Sequence, residues 1–463
     1  MKIIGMLLAF VLAATACSSD SDPAETSSVS AEQTTDGSST TSIDGADGAD
    51  GADQPDEAPE LEEALAALIR GFDTLLAHSL VDDVVAFEDQ RAAWVLADML
   101  RFYPPGHESA ILLGGALEQL DVAVDPATPW KSATDELIAA DVPAPPGYDA
   151  LKVGFLGVLD PRWGDLFAEP VDMDLRLVGW GGVFIDDRAF GATEPCRGRG
   201  CIPSLDNPAV TDAAGGSWYP DERLVFGIVV NGEARAYPKN QMEIHEMVND
   251  ELGGRRIAIP YCTLCGSAQA YLTDDVPDTS RHLVMRTSGL LSRSNKVMYD
   301  LDSLSVYDTF TGRAVTGSHR AAEIELEQLT VRVSTWADWK AAHPDTTIVA
   351  EDGGIGREYD LDPLAGRDDN GPIFPIGDVD DRLEVHDAVV GVEAPDGTPV
   401  AFAVADLDQL ADGEAAELQR VVVSSDGAGY VAHDEDGNEL ATHEAFWFAW
   451  SQFFPDSLLW EPN

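Results

Sequence analysis

The stretch that most limits how this chain can fold begins at Arg223, where the apolar runs become short and alternate with turn residues. Leu224 to Val230 and Glu233 to Tyr237 are separated only by Asn231-Gly232. Both residues of that pair tolerate positive φ, which the two-residue hairpin turn matching strand twist requires. Pro238 to Asp250 reads as a helix carrying His245 and Glu246. Gly253-Gly254 then turns the chain into a strand over Arg256 to Tyr261, which runs directly into Cys262-Thr263-Leu264-Cys265. A cysteine pair at the end of a buried strand is one that a rigid scaffold can present.

Upstream, the texture is helical. Leu61, Leu65, Leu68, Ile69, Phe72, Leu75 and Leu76 recur at helical spacing between Leu61 and Leu80, and Val84 to Arg101 and Glu108 to Leu120 behave alike. Pro126, Pro129 and the Pro143 to Gly147 cluster divide this region into helices and loops. Gly179-Trp180-Gly181-Gly182 opens a loop-rich passage to Asn207. The expected class is α+β, with a helical region over 61–200 followed by a β-rich region.

That β-rich region reads as an internal duplication. Val225-Phe226-Gly227-Ile228, Asn231-Gly232 and Ala236-Tyr237 recur as Val389-Val390-Gly391-Val392, Asp396-Gly397 and Ala401-Phe402. Trp336, Trp339 and Pro344-Asp345-Thr346 recur as Trp447, Trp450 and Pro455-Asp456-Ser457. The first repeat occupies 201–350 and the second, without the cysteines, 351–463. Tryptophans common to both copies are expected in the core. Cys262, Cys265, His245 and the stretch Ser288 to Asp300 belong to the first copy alone and are candidates for chemistry.

The beginning of the chain has another purpose. Lys2, an apolar run from Ile3 to Ala14, and small Thr15 and Ala16 build a secretion signal. Ala14-Thr15-Ala16-Cys17 resembles a bacterial lipobox, which implies loss of 1–16 and a lipid on Cys17. The apolar run is shorter than the about 20 residues that a spanning helix needs. Residues 17–60 are rich in Ser, Thr, Asp, Gly and Ala, hold no Lys or Arg, and are expected to form a solvated spacer. The expected location is the cell envelope, outside the cytoplasm, with the membrane as partner through the lipid. Across the chain, 83 acidic residues face 28 basic ones, a formal charge of -55, which argues against nucleic acid and anionic head groups as partners.

With Cys17 lipidated, four cysteines are left, and local spacing favours Cys196 with Cys201 and Cys262 with Cys265. A lone Cys-x-x-Cys can cycle between dithiol and disulfide, hold a metal, or simply cross-link. A closed four-sulfur zinc site would need two such pairs. Redox work requires a stabilised thiolate, which backbone N–H groups at a strand end supply, with His245 as proton donor or base. Metal binding would add His245 and Met298, or Met242 or His343, to the two sulfurs, a donor set suited to copper or zinc. A structural disulfide in a scaffold or binding protein is the third reading. The first two expect the sulfurs in a pocket open to small reactants or ions, with Tyr261, Asn295 and Asp300 as further lining candidates. The reacting partner stays open between a small reactant, a metal ion and another envelope protein. His245-Glu246 does not begin a zinc-protease helix, because the residue four beyond His245 is Asn249.

Several segments together resemble a bacterial family catalogued as domain of unknown function 3179. They are Ile202 to Asp206, Val230 to Pro238, His245 to Asp250, Tyr261 to Gly266, Ser288 to Leu291, Ser294-Asn295, Met298 to Asp300, Thr335 to Trp339 and Phe446 to Trp450. The resemblance runs from Ile202 to Trp460 and implies no agreed activity. Two departures stand out. Cys201 occupies a place where the family rarely has cysteine, which implies that Cys196 and Cys201 form a clip of a subgroup. Where the family usually has Ser-Leu-Trp, this chain reads Ser303-Leu304-Ser305-Val306-Tyr307.

Overall fold

The computed structural model describes residues 58–462 except 169, 197, 199, 275, 278, 280–281, 368–370 and 412. The expected signal, Cys17 and nearly all of the spacer lie outside the described residues. Seven helices come first: Ala58–Arg70, His78–Val85, Ala93–Leu100, Glu108–Gln119, Pro129–Ala139, Tyr148–Leu159 and Pro161–Leu166. The helix expected over Leu61 to Leu80 stops at Arg70, and Leu75 is exposed while Leu76 is buried. Leu61, Leu65, Leu68 and Ile69 still face one core, as their spacing requires.

The expected α+β class with a duplicated β region is corrected by the strand pairing. Beyond the helices the described residues form a β-rich fold of five separate sheets. The first sheet orders Val178–Trp180, Met285–Ser292, Asn295–Asp300 and Val306–Asp308. The second runs Gln328–Leu329, Ala270–Leu272, Arg255–Cys262, Met247–Leu252 and Leu205–Asp206, with Ser267–Ala268 also paired to Arg255–Cys262. The third orders Arg332–Thr335, Leu224–Val230, Glu233–Pro238, Thr347–Val349 and Val210–Asp212. The fourth has Thr442–Phe446, Ala388–Glu393, Pro399–Ala403 and Leu458–Trp460, and the fifth Ala415–Leu418, Val421–Ser425, Tyr430–Asp434 and Glu439–Leu440.

The sequence likeness between the expected repeats is confined to the third and fourth sheets and the helix after each. In both sheets a hairpin is flanked by one antiparallel and one parallel strand. A Cβ on Gly227 would fall 2.1 Å from the Trp339 ring, and one on Gly391 2.0 Å from Trp450. Each glycine therefore exists to let an indole lie flat on the sheet, and this contact explains why the Gly and Trp positions recur together. The likeness does not extend further: the sheet carrying the cysteines has six strands and the fifth sheet four, in different orders. The β region is thus not two copies of one unit.

The helices pack on the first sheet, since Leu290, Val297, Tyr299 and Val306 share their core. Trp163 also donates its ring N–H to Ser288 O at 2.8 Å. No helix among the described residues is long and apolar enough to cross a membrane.

Candidate functional site: a buried dithiol beside a lysine–glutamate pair

The strand Arg255–Cys262 delivers Cys262 at its last position, and a turn carries the chain through Cys265 to the short strand Ser267–Ala268, where Cys262 pairs with Ser267. Gly266 takes φ +58, and a Cβ there would fall 2.9 Å from the Phe446 ring, so only glycine lets the turn pack on the fourth sheet. Phe446 N–H also donates to Cys265 O at 2.8 Å. Cys262 and Cys265 are free thiols, 2 % and 0 % exposed, in one apolar cluster with Phe310, Ile376, Trp447 and Trp450. Two expectations are thereby corrected: the pair is not disulfide-bonded, and it does not stand in an open pocket. The cause is the packing of the fourth sheet and its Trp helix over the turn, which the local sequence around the cysteines does not contain.

Polar groups enter this apolar setting from two directions. The hairpin between Met285–Ser292 and Asn295–Asp300 turns through Arg293 and Ser294, at φ 49 and 63. This is left-handed backbone that favours glycine, so both residues are strained. The turn brings Ser294 O to accept from the Cys262 thiol at 3.6 Å and from the Cys265 thiol at 3.5 Å. Glu246, also left-handed at φ 50, ends the helix Lys239–His245. Its carbonyl accepts from Tyr261 N–H at 3.0 Å and from the Lys296 ammonium. Its carboxylate lies 3.6 Å from Lys296 Nζ and accepts from Thr263 Oγ1 at 3.2 Å.

This arrangement separates the two thiols in acidity. Burial pushes the Cys262 thiol up, and Glu246 adds to that. Hydrogen bonds from the Cys265 thiol and from the N–H groups of Lys296 and Cys265 outweigh both, and set Cys262 below the ordinary thiol range. Burial and the neighbouring Cys262 push Cys265 well above it. Burial lowers the Lys296 ammonium, opposed by the negative charges of Glu246 and Cys262. One sulfur is thus poised to ionise while the other keeps its proton.

The remaining sequence candidates are placed as follows. His245 is buried, with Nδ1 2.6 Å from Pro203 O and Nε2 2.7 Å from Tyr359 OH, so both ring nitrogens are occupied away from the sulfurs. Met298 packs in a separate apolar cluster with Met247 and Tyr271, and Met242 in a third with Phe226. His343 lies against Trp339, ring centroids 4.2 Å apart. Asp300 accepts from the N–H groups of Val284 and Ser303 at 3.0 and 2.8 Å. Tyr261 packs on Phe226, and Tyr307 is buried with its hydroxyl 2.8 Å from His319 Nδ1. Asn295 is buried and follows Ser294, whose carbonyl accepts from both thiols. Lys296 lies in the stretch Ser288 to Asp300 that the sequence marks out, but the sequence reading singles out neither it nor Glu246 as a site residue. The available signal was a lysine within a strand whose six residues are all buried.

His245 gives a test of its own. Burial lowers its pKa from 6.5 to about 4, against the opposing pull of Pro203 O. The unfolded chain therefore binds a proton between those values that the native protein refuses. This share of stability is complete above pH 6.5 and drains away as pH falls towards 4, about 3 kcal/mol in all. In urea unfolding, the stability gap between wild type and His245→Gln should narrow by about 2 kcal/mol from about pH 7.5 to about pH 5. A constant gap would show that the native imidazole takes up its proton at the same pH as in the unfolded chain.

Cys196 and Cys201 are joined by a disulfide, Cα atoms 5.5 Å apart. With Asp186 they form the one group among the described residues whose ligand atoms lie close enough to hold a metal, all within 4.8 Å. The donor chemistry does not suit copper or zinc as it stands, because disulfide sulfurs are not thiolates. Asp186 is moreover paired with Arg188 at 2.7 Å. This group could take a metal only after reduction.

Fold and site together define a β-rich protein that carries a buried, asymmetric dithiol at the seam between two sheets. The family profile described as Protein of unknown function (DUF3179) matches residues 199–457, more than half of the chain, and the protein belongs to that family. Comparisons with curated proteins and with solved structures give no match.

Proposed function

We propose that this protein is a thiol–disulfide redox protein of the cell envelope, tethered by a lipid on Cys17. Cys262 is the attacking sulfur and Cys265 the resolving one. The observation that carries the reading is a pair of free thiols, three residues apart at a strand end, that both donate to Ser294 O. A structural cross-link would hold these sulfurs as a disulfide, and a thiolate is the form that attacks. Lys296 and Glu246 provide the charges around it, and His245 acts only as a positioning residue, fixing the helix end from which Glu246 projects. Copper or zinc on these sulfurs is the weaker reading, since His245 and Met298, the expected further donors, are engaged elsewhere.

The test is alkylation of the reduced protein by a small uncharged reagent across pH, read by peptide mass. Cys262 should react with a midpoint below the ordinary thiol value of 9.0, and Cys265 should stay unmodified until far higher pH. Equilibration with oxidised dithiothreitol should convert both thiols reversibly to one disulfide. Equal midpoints for the two cysteines, or a pair that never closes, would refute the assignment.

A further inference from the structure

Around the dithiol lie buried polar atoms that the protein itself does not satisfy. Ser267 Oγ, both amide atoms of Gln269 and both amide atoms of Asn295 have no hydrogen-bond partner among the described residues. Ser267 and Gln269 are 0 % exposed and Asn295 1 %. Buried side-chain polar atoms are nearly always partnered, and each orphan costs free energy. The fold leaves these five atoms without a protein partner, which a polar occupant would supply.

Their placement ties them to the sulfurs. Cys262 stands directly opposite Ser267 in an antiparallel pair, so the two side chains share one face of the ribbon. Gln269, whose N–H donates to Pro260 O at 3.1 Å, follows two residues later and lies on that same face. Asn295 is the residue whose two flanking peptide groups bind the sulfurs. Ser294 O accepts from both thiols, and the Lys296 N–H donates to Cys262.

The chemistry of these groups limits the reactant. Sulfurs this deeply buried cannot meet the disulfide of another protein. An anion would be repelled by a Cys262 thiolate beside Glu246, and any ion would lose its hydration. Two carboxamides and a hydroxyl both donate and accept, which suits a small uncharged molecule that does the same. A cavity of about 550 Å³ is lined in part by Arg293, Pro375 and Ile376; Ile376 also packs in the cluster of the sulfurs, and Ser294 Oγ donates to Pro375 O.

Resting on the redox reading above, we infer that the reactant of the dithiol is a small hydroperoxide, held by Ser267, Gln269 and Asn295. The Cys262 thiolate attacks one peroxide oxygen. The S–O bond forms as the O–O bond breaks, and the departing oxygen leaves as water or alcohol with the proton that Cys262 gave up. Cys265 sulfur then attacks Cys262 sulfur. The S–S bond forms, the S–O bond breaks, and water leaves with the Cys265 proton. One hydroperoxide and two thiols thus become one disulfide, one water or alcohol, and one water.

The experiment follows hydrogen peroxide consumption and thiol loss in a single turnover of the reduced chain, with Gln269→Met and Asn295→Leu alongside wild type. Wild type should consume one peroxide per disulfide formed. Each variant should react about tenfold more slowly for each hydrogen bond lost to the peroxide. Neither should melt lower, because an apolar group replaces an orphaned polar one. Oxidation by oxidised dithiothreitol with no faster response to peroxide, or variants as fast as wild type, would overturn the inference and leave the redox reading standing. Variants that melt lower would mark the amides as structural and also overturn it. A dithiol that no oxidant closes would sink both.

Discussion

Lys296→Met should move the alkylation midpoint of Cys262 to higher pH and slow its reaction at neutral pH by about tenfold for each unit of that movement. The sign follows from charge. An ammonium near a sulfur favours the thiolate, so removing it makes ionisation harder, and the whole profile shifts alkaline. The same substitution strands the Glu246 carboxylate, partly buried and with Thr263 as its nearest remaining donor. Stability should therefore fall too, towards the roughly 3–5 kcal/mol typical when one member of a buried pair is lost. The two effects separate in the double variant Lys296→Met with Glu246→Gln. It should regain most of the stability, yet it should not regain the wild-type alkylation rate, while Lys296→Arg should restore much of that rate. If Lys296→Met alkylates at the wild-type midpoint, the lysine has no part in setting Cys262.

The second large effect concerns the ion pairs that hold the loop before the site. Arg286 is wholly buried and binds Asp206 through two bonds of 2.8 and 2.7 Å, with Asp186 4.0 Å away. Asp186 in turn accepts from Arg188 and from the Ser204 N–H, which fixes the passage containing the Cys196–Cys201 disulfide and Pro203, the partner of His245. Among the described residues, Arg286→Met leaves the Asp206 carboxylate buried with the Asn249 amide and the Gly191 N–H as donors. We expect a loss of about 3–5 kcal/mol in urea unfolding, little changed by added salt, because buried charges are poorly screened. A loss under about 1 kcal/mol, typical of an exposed pair, would contradict the role given to this pair.

The residues changed first in both predictions, Lys296 and Arg286, lie in none of the segments that resemble the family. The cysteine pair was visible because its two members are neighbours in the chain. Lys296 and Glu246 are 50 residues apart, and their meeting depends on the strained turn at Arg293 and Ser294 and on the left-handed residue that ends a helix. The apparent partner His245 sits one residue from Glu246, yet the reversal of direction at that point sends its ring to Pro203 and Tyr359 instead. Ser267 and Gln269 carry no signal at all until strand register places them on the face of Cys262.

By itself, the sequence determined the local elements: helices over the first part of the described chain, a hairpin at Asn231 and Gly232 with φ of 50 and 83, and sulfurs at a strand end. These depend on periodicity and on backbone sterics within a few residues, which composition and spacing express directly. Only the tertiary structure decided that the strands divide into five sheets, that the Gly and Trp likeness stops at two of them, and that the fourth sheet closes over the thiols. Those outcomes depend on which distant strands share hydrogen bonds and on what packs across a sheet face. Neither follows from the order of residues along one strand.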